Sequence, residues 1–163
     1  SLPEITLSLS FSGGKQHVIL CGEDVTDFIR TPEISLYASA VSSLPEVRKF
    51  LLETQRKLAR ENNVIMDGRD IGTVILPDAD VKIFVTASDE IRAKRRMLEL
   101  KEKGIEQSFE DVLADMKKRD FQDASREIAP AVAAKDAVIL DNSELDRNGT
   151  LFEALRIIRE KIG

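Results

Sequence analysis

Histidine and cysteine each occur once in the 163 residues, as His17 and Cys21, and tryptophan is absent. A single cysteine excludes an intrachain disulfide and a cysteine-based zinc site. A single histidine excludes a histidine-rich metal centre and any relay through two imidazoles. Basic charge is not in excess: 24 Lys plus Arg stand against 29 Asp plus Glu, a formal net charge of −5. Proteins that hold nucleic acid or anionic membranes by nonspecific attraction are usually basic, so neither partner is expected. A local arginine cluster can still hold a small anion. No apolar stretch reaches the roughly 18 residues that a membrane helix needs, and no signal peptide is visible, so the cytosol is the default expectation. The chain opens on Ser1 and not on Met, and a natural start upstream is expected.

What is present suits one domain with a real core, since 42% of the residues are hydrophobic and 33% charged. Ile5, Leu7, Leu9 and Phe11 alternate with Thr6, Ser8 and Ser10, the period of a half-buried strand. Ser12-Gly13-Gly14-Lys15 supplies a turn, and His17 to Cys21 returns as a second strand. A small-residue helix is expected over 34–43, and a longer one from Pro45 to about Glu61. After Asn62-Asn63 the pattern changes. Val64–Met66, Val81–Val85 and Ala137–Leu140 are short apolar runs, as in parallel strands buried on both faces. Between the last two lie charged helices over 88–103 and 108–127, and a final helix is expected over about 150–162. Strands separated by helices predict an α/β layered core.

Three groups of residues could carry chemistry. Asp67-Gly68-Arg69-Asp70-Ile71-Gly72-Thr73 follows the Val64–Met66 run, where open α/β sheets bind ligands. Arg69 and Asp70 are candidates there, with Gly68 and Gly72 letting the backbone approach a ligand; the alternative is a tight turn with a structural Arg–Asp pair. Arg119, Asp123 and Arg126 share one helix face. Two guanidiniums can fork onto phosphate oxygens, with the carboxylate orienting them or accepting a ribose hydroxyl. Arg92, Arg95 and Arg96 share another face, an arrangement suited to the spread charge of phosphoryl transfer. Taken alone, both helix groups read better as solvated ion-pair ladders. Ser39 and Arg48 are individually unremarkable, Cys21 reads as a small buried hydrophobe, and His17 reads as structural. No spacing suits a metal cage built from protein ligands alone.

Together these segments resemble the bacterial cytidylate kinases, a family of nucleoside monophosphate kinases. The resemblance runs nearly end to end, through Gly22-Glu23-Asp24-Val25-Thr26, Ile29-Arg30-Thr31-Pro32-Glu33, Ala38-Ser39-Ala40-Val41 and Pro45-Glu46-Val47-Arg48. It continues through Met66–Val74, Pro77-Asp78-Ala79, Lys82-Ile83-Phe84, Arg95-Arg96, Lys118-Arg119-Asp120, Asp123, Arg126 and Ala129-Pro130. It implies transfer of the ATP γ-phosphoryl group to CMP or dCMP, with Mg2+ in the complete enzyme. By position it assigns Ser39, Arg48 and Asp70 to the cytosine ring, Arg119 and Asp123 to the ribose, and Arg69 and Arg126 to the acceptor phosphate. Arg92, Arg95 and Arg96 fall in the mobile lid, over about 88–127, and the resemblance reverses the ladder reading of both helix groups.

The resemblance also implies a three-layer α/β core of the phosphate-loop type, with a parallel sheet and a small antiparallel β/helical acceptor-binding insert. The insert is expected over 1–62 and the rest of the core over 63–163. A G-x-x-x-x-G-K-[ST] loop, whose backbone amides would cradle the donor phosphates, does not occur in the sequence. Gly13-Gly14-Lys15 has the wrong spacing and no helix behind it. The core is therefore expected to be incomplete at the N-terminus, completed by a missing segment or another chain, and inactive alone. The alternative is a catalytically silent pyrimidine-nucleotide binding module.

Overall fold

The computed structural model describes residues 4–29, 31, 33–34, 37–38, 41, 44–102, 104–125 and 130–163. The chain divides into two compact units, Ser1–Ile65 and Met66–Gly163.

The first unit opens with a three-stranded antiparallel sheet in the order β1-β2-β3: β1 Leu7–Ser12, β2 Lys15–Leu20 and β3 Glu23–Asp24. Gly13 and Gly14 form the two-residue turn with φ of 57° and 76°. A turn with both central residues left-handed matches strand twist, and glycine enters that region without a Cβ penalty. The turn sets the register, with Ser12 opposite Lys15 and Leu7 opposite Leu20. The expected hairpin is therefore present, and the turn at Gly22 adds the short third strand. Helix α1, Pro45–Glu61, starts where proline is tolerated and carries Glu46 in its first turn and Arg60 in its last, matching the helix dipole. The helix expected over 34–43 falls largely on residues outside those described, Ser39 among them.

The second unit is mixed α/β. A π-helical turn, Ile71–Ile75, precedes β4 (Ile83–Thr86), α2 (Asp89–Glu102), α3 (Phe109–Ala124), β5 (Val138–Asp141) and α4 (Arg147–Ile162). Strands β4 and β5 pair in parallel, Ile83 opposite Val138 through Thr86 opposite Asp141. Helices α2 and α3 pack on one another through Ala93, Leu100 and Val112, with Phe109, Leu113 and Met116 around them. Ser108 caps α3 by accepting the Asp111 N–H at 3.1 Å. Asp146 caps α4 by accepting the Gly149 N–H at 2.7 Å, so this helix starts three residues earlier than expected.

Val64–Met66 is not a strand. No ladder joins it among the described residues, and Ile65 is 98% exposed. An apolar extended run becomes a strand only when its backbone groups find a partner. The parallel sheet accordingly has two strands among the described residues.

Candidate functional site

The turn after Val64–Met66 carries the candidates Arg69 and Asp70. Asp70 precedes the π-helical turn, and its carbonyl accepts the N–H of Val74 at 2.9 Å and of Ile75 at 3.2 Å. Such single π turns often occur at functional sites. Of the two glycines Gly68 has a packing reason, since an added Cβ there would clash, whereas one on Gly72 would make only an ordinary contact. A Cβ on Gly68 would lie 2.8 Å from Ile71 Cγ1, and one on Gly72 would lie 3.4 Å from Lys82 Cδ. Lys82 itself is nearly buried and ion-paired with Asp136 at 2.7 Å, which holds the Asp136 carboxyl below its usual range.

Arg69 reaches the carboxylate of Asp123 on α3 and pairs with its Oδ2. Arg119, one turn earlier on α3, places its Nε 3.9 Å from the same oxygen. Asp123 is only 3% exposed, the one charged residue fully buried among the described residues. Burying a carboxylate is costly unless it is paired, and here two guanidiniums flank it. The cluster carries one net positive charge, and the Arg119 side chain stays 71% exposed. This is an anion-attracting arrangement: two forked donors held by a fixed carboxylate that can also accept a hydroxyl proton. The structure thus joins two residues of one expected group, Arg119 and Asp123, to Arg69 of another. Arg126 and Ser39 lie outside the described residues. Arg48 lies on α1 in the first unit.

A cytidylate kinase family model matches residues 1–160. The chain is 48% identical over 162 residues to the cytidylate kinase of Caldicellulosiruptor saccharolyticus, covering 99% of this chain and 72% of the relative. It is 45% identical over 155 residues to that of Thermosipho melanesiensis, covering 95% of this chain and 70% of the relative. The chain belongs to the cytidylate kinase family. The family is one of phosphotransferases with ATP as phosphate donor.

Arg92, Arg95 and Arg96 each have partners within the chain. Arg92 pairs with Asp89 and, at 2.6 Å, with Asp120 of α3; both carboxylates favour its charged form against partial burial. Arg95 donates to Asn142 Oδ1 at 2.9 Å, to the Asn142 carbonyl at 2.8 Å and to the Leu145 carbonyl at 3.0 Å. Arg96 pairs with Glu99 at 3.1 Å, one turn on. The sequence reading missed the Asp120 and Asn142 contacts, because these residues are distant along the chain from Arg92 and Arg95. It also missed the partners of His17, which β-sheet register brings close from Ser12 and Asp24.

A shallow cavity of about 310 Å³ is lined by Arg95, Asn142, Leu145, Asp146, Arg147 and Thr150. Among the described residues no three His, Cys, Asp or Glu side chains converge to hold a metal. Mg2+ usually keeps waters and binds substrate phosphates with one or two carboxylates, so no residue here is assigned to it. No helix among the described residues is long and apolar enough to cross a membrane.

Proposed function

We propose that this chain binds CMP or dCMP as acceptor of the ATP γ-phosphoryl group, giving CDP or dCDP and ADP. The observation that carries the reading is the buried Asp123 carboxylate held by Arg69 and bordered by Arg119. An incoming phosphate offers Arg69 a doubly charged partner, and the released Asp123 oxygen can accept a ribose hydroxyl. Arg126 shares the phosphate with Arg69, while Arg119 and Asp123 hold the ribose. Ser39, Arg48 and Asp70 read the cytosine ring. Asp70 as acceptor of the exocyclic amine rejects uracil, which presents a carbonyl there. Arg92, Arg95 and Arg96 belong to the lid, and Arg92 must exchange its present carboxylates before it can face a transferring phosphoryl group. Catalysis is positioning and charge stabilisation, with no covalent intermediate on the protein. Mg2+ accompanies the nucleotide phosphates.

Because no G-x-x-x-x-G-K-[ST] loop occurs among these 163 residues, they supply acceptor recognition and the lid, and by themselves do not transfer phosphate. The same feature favours a second reading, a pyrimidine-nucleotide binding module without catalysis. Calorimetric titration of the chain with CMP and UMP tests the acceptor site directly. Asp70→Ala is expected to weaken CMP far more than UMP; equal losses would remove its cytosine role. CMP-dependent ADP formation by these 163 residues alone would overturn the division of labour.

A further inference from the structure

The polar face of the antiparallel sheet holds a relay that the kinase reading does not use. Ser12 ends β1, His17 lies in β2 and Asp24 ends β3. The pairings Ser10 with His17, Ser12 with Lys15 and Ile19 with Asp24 place all three side chains on one face. His17 Nδ1 stands 2.7 Å from Asp24 Oδ2, and His17 Nε2 stands 3.1 Å from Ser12 Oγ. The second oxygen of Asp24 accepts the Thr26 hydroxyl at 2.5 Å and the Thr26 amide at 3.0 Å. Those bonds, with the one to His17, lower the Asp24 carboxyl from 3.8 to about 2.

The direction of the relay follows from these contacts. An ionised Asp24 only accepts hydrogen bonds, so a neutral His17 donates from Nδ1 and presents a lone pair at Nε2. The Ser12 hydroxyl then donates to Nε2. An imidazole oriented by a carboxylate on one nitrogen and facing a hydroxyl on the other is the arrangement that activates a serine. The hydroxyl is also reachable. Ser12 is exposed, and beyond their immediate chain neighbours no atom lies within 4 Å of where a Cβ would stand on Gly13 or Gly14.

We propose that Ser12 is a nucleophilic site that takes acyl groups from small activated acyl donors, with His17 as general base and Asp24 as a positioning residue. The Ser12 Oγ bonds to the acyl carbon as its proton passes to His17 Nε2. The bond to the leaving group breaks, and that group departs with the electron pair and takes up the proton. Water then attacks the acyl-Ser12 ester, releasing the carboxylic acid and restoring the serine. On so open a surface the leaving group, more than any acyl pocket, drives the first step, which is why the donor class is activated esters and their like.

The experiment is incubation of the chain with p-nitrophenyl acetate, following nitrophenolate release and mapping acetylated peptides by mass spectrometry. Acetyl-Ser12 is expected, and Ser12→Ala should remove it while leaving the hairpin amides as protected from exchange as before. His17→Gln should slow Ser12 acetylation by about 100-fold or more, and Asp24→Asn by about tenfold or more. Acetylation confined to Lys15 and other amines, or an unchanged rate at Ser12 in His17→Gln, would overturn the proposal.

Discussion

The two units of this chain are ordered by different forces. Among the described residues the first has no fully buried side chain, and Phe11 on its sheet is 75% exposed. Its order comes from backbone ladders, a glycine turn and polar clasps such as Thr26 and His17 on Asp24. The second buries Ile75, Ala87, Ala93, Leu100, Val112, Leu140 and Ile157, and with them Asp123. The lesson concerns where a charge can be placed. A carboxylate at a sheet edge is held by hydrogen bonds and tolerates water, whereas one inside a packed unit needs cations beside it, as Asp123 has in Arg69 and Arg119.

The contrast predicts unequal responses to substitution. The largest is Asp123→Ala, which removes the buried carboxylate beside Arg69 and Arg119 and leaves a cavity. Breaking a buried pair costs about 3 kcal/mol or more, here at the low end because Arg69 is 39% exposed. Urea unfolding should show that loss and calorimetry should show CMP binding gone; retention of both would break the comparison. Next is Ala93→Leu. Ala93 is fully buried between α2 and α3, and overpacking there should cost about 1–3 kcal/mol. The exposed Phe11 replaced by Ser should change stability by no more than about 0.5 kcal/mol. Comparable losses for the two would mean that the first unit is packed as tightly as the second.

The smallest effect is the pH dependence that Asp24 gives the first unit. The Asp24 carboxyl lies at about 2 in the fold against an ordinary 3.8. The native state therefore favours the ionised form, and the gain is complete above about 3.8 and is lost as pH falls through about 2. Amide exchange in β2 and β3 should accelerate over that window, and Asp24→Asn should flatten the change. An equal acceleration in the variant would assign it to other carboxylates.

Much of this was legible along the chain where local chemistry decides the outcome. Gly13-Gly14 between alternating residues marked the hairpin, Pro45 marked the start of α1, and Ser108 marked the start of α3. The sequence misled where a residue's fate depends on distant neighbours. Val64–Met66 has the composition of a strand but no partner ladder among the described residues, and Ile71–Ile75, equally apolar, closes into a π turn on the Asp70 carbonyl. The expected start of α4, at about 150, falls three residues late, just past Gly149. In the fold it lets Asp146 approach as a cap, since a Cβ there would meet Asp146 Oδ1 at 3.3 Å. Of the candidate site, the Arg119–Asp123 spacing was visible on one helix, but its union with Arg69 spans more than fifty residues. Nothing along the chain announces that Arg92 and Arg95 are already held by Asp120 and Asn142.

The central claim is that pyrimidine-nucleotide recognition rests on the turn after Met66 and on the buried carboxylate of α3. Amide NMR of the chain titrated with CMP tests it most directly. The account predicts shifts concentrated on residues 67–73 and 119–123, with Arg48 moving as well, and far smaller shifts with UMP at equal concentration. Shifts confined to the loop around Asn142 and Leu145, or none with either nucleotide, would contradict it.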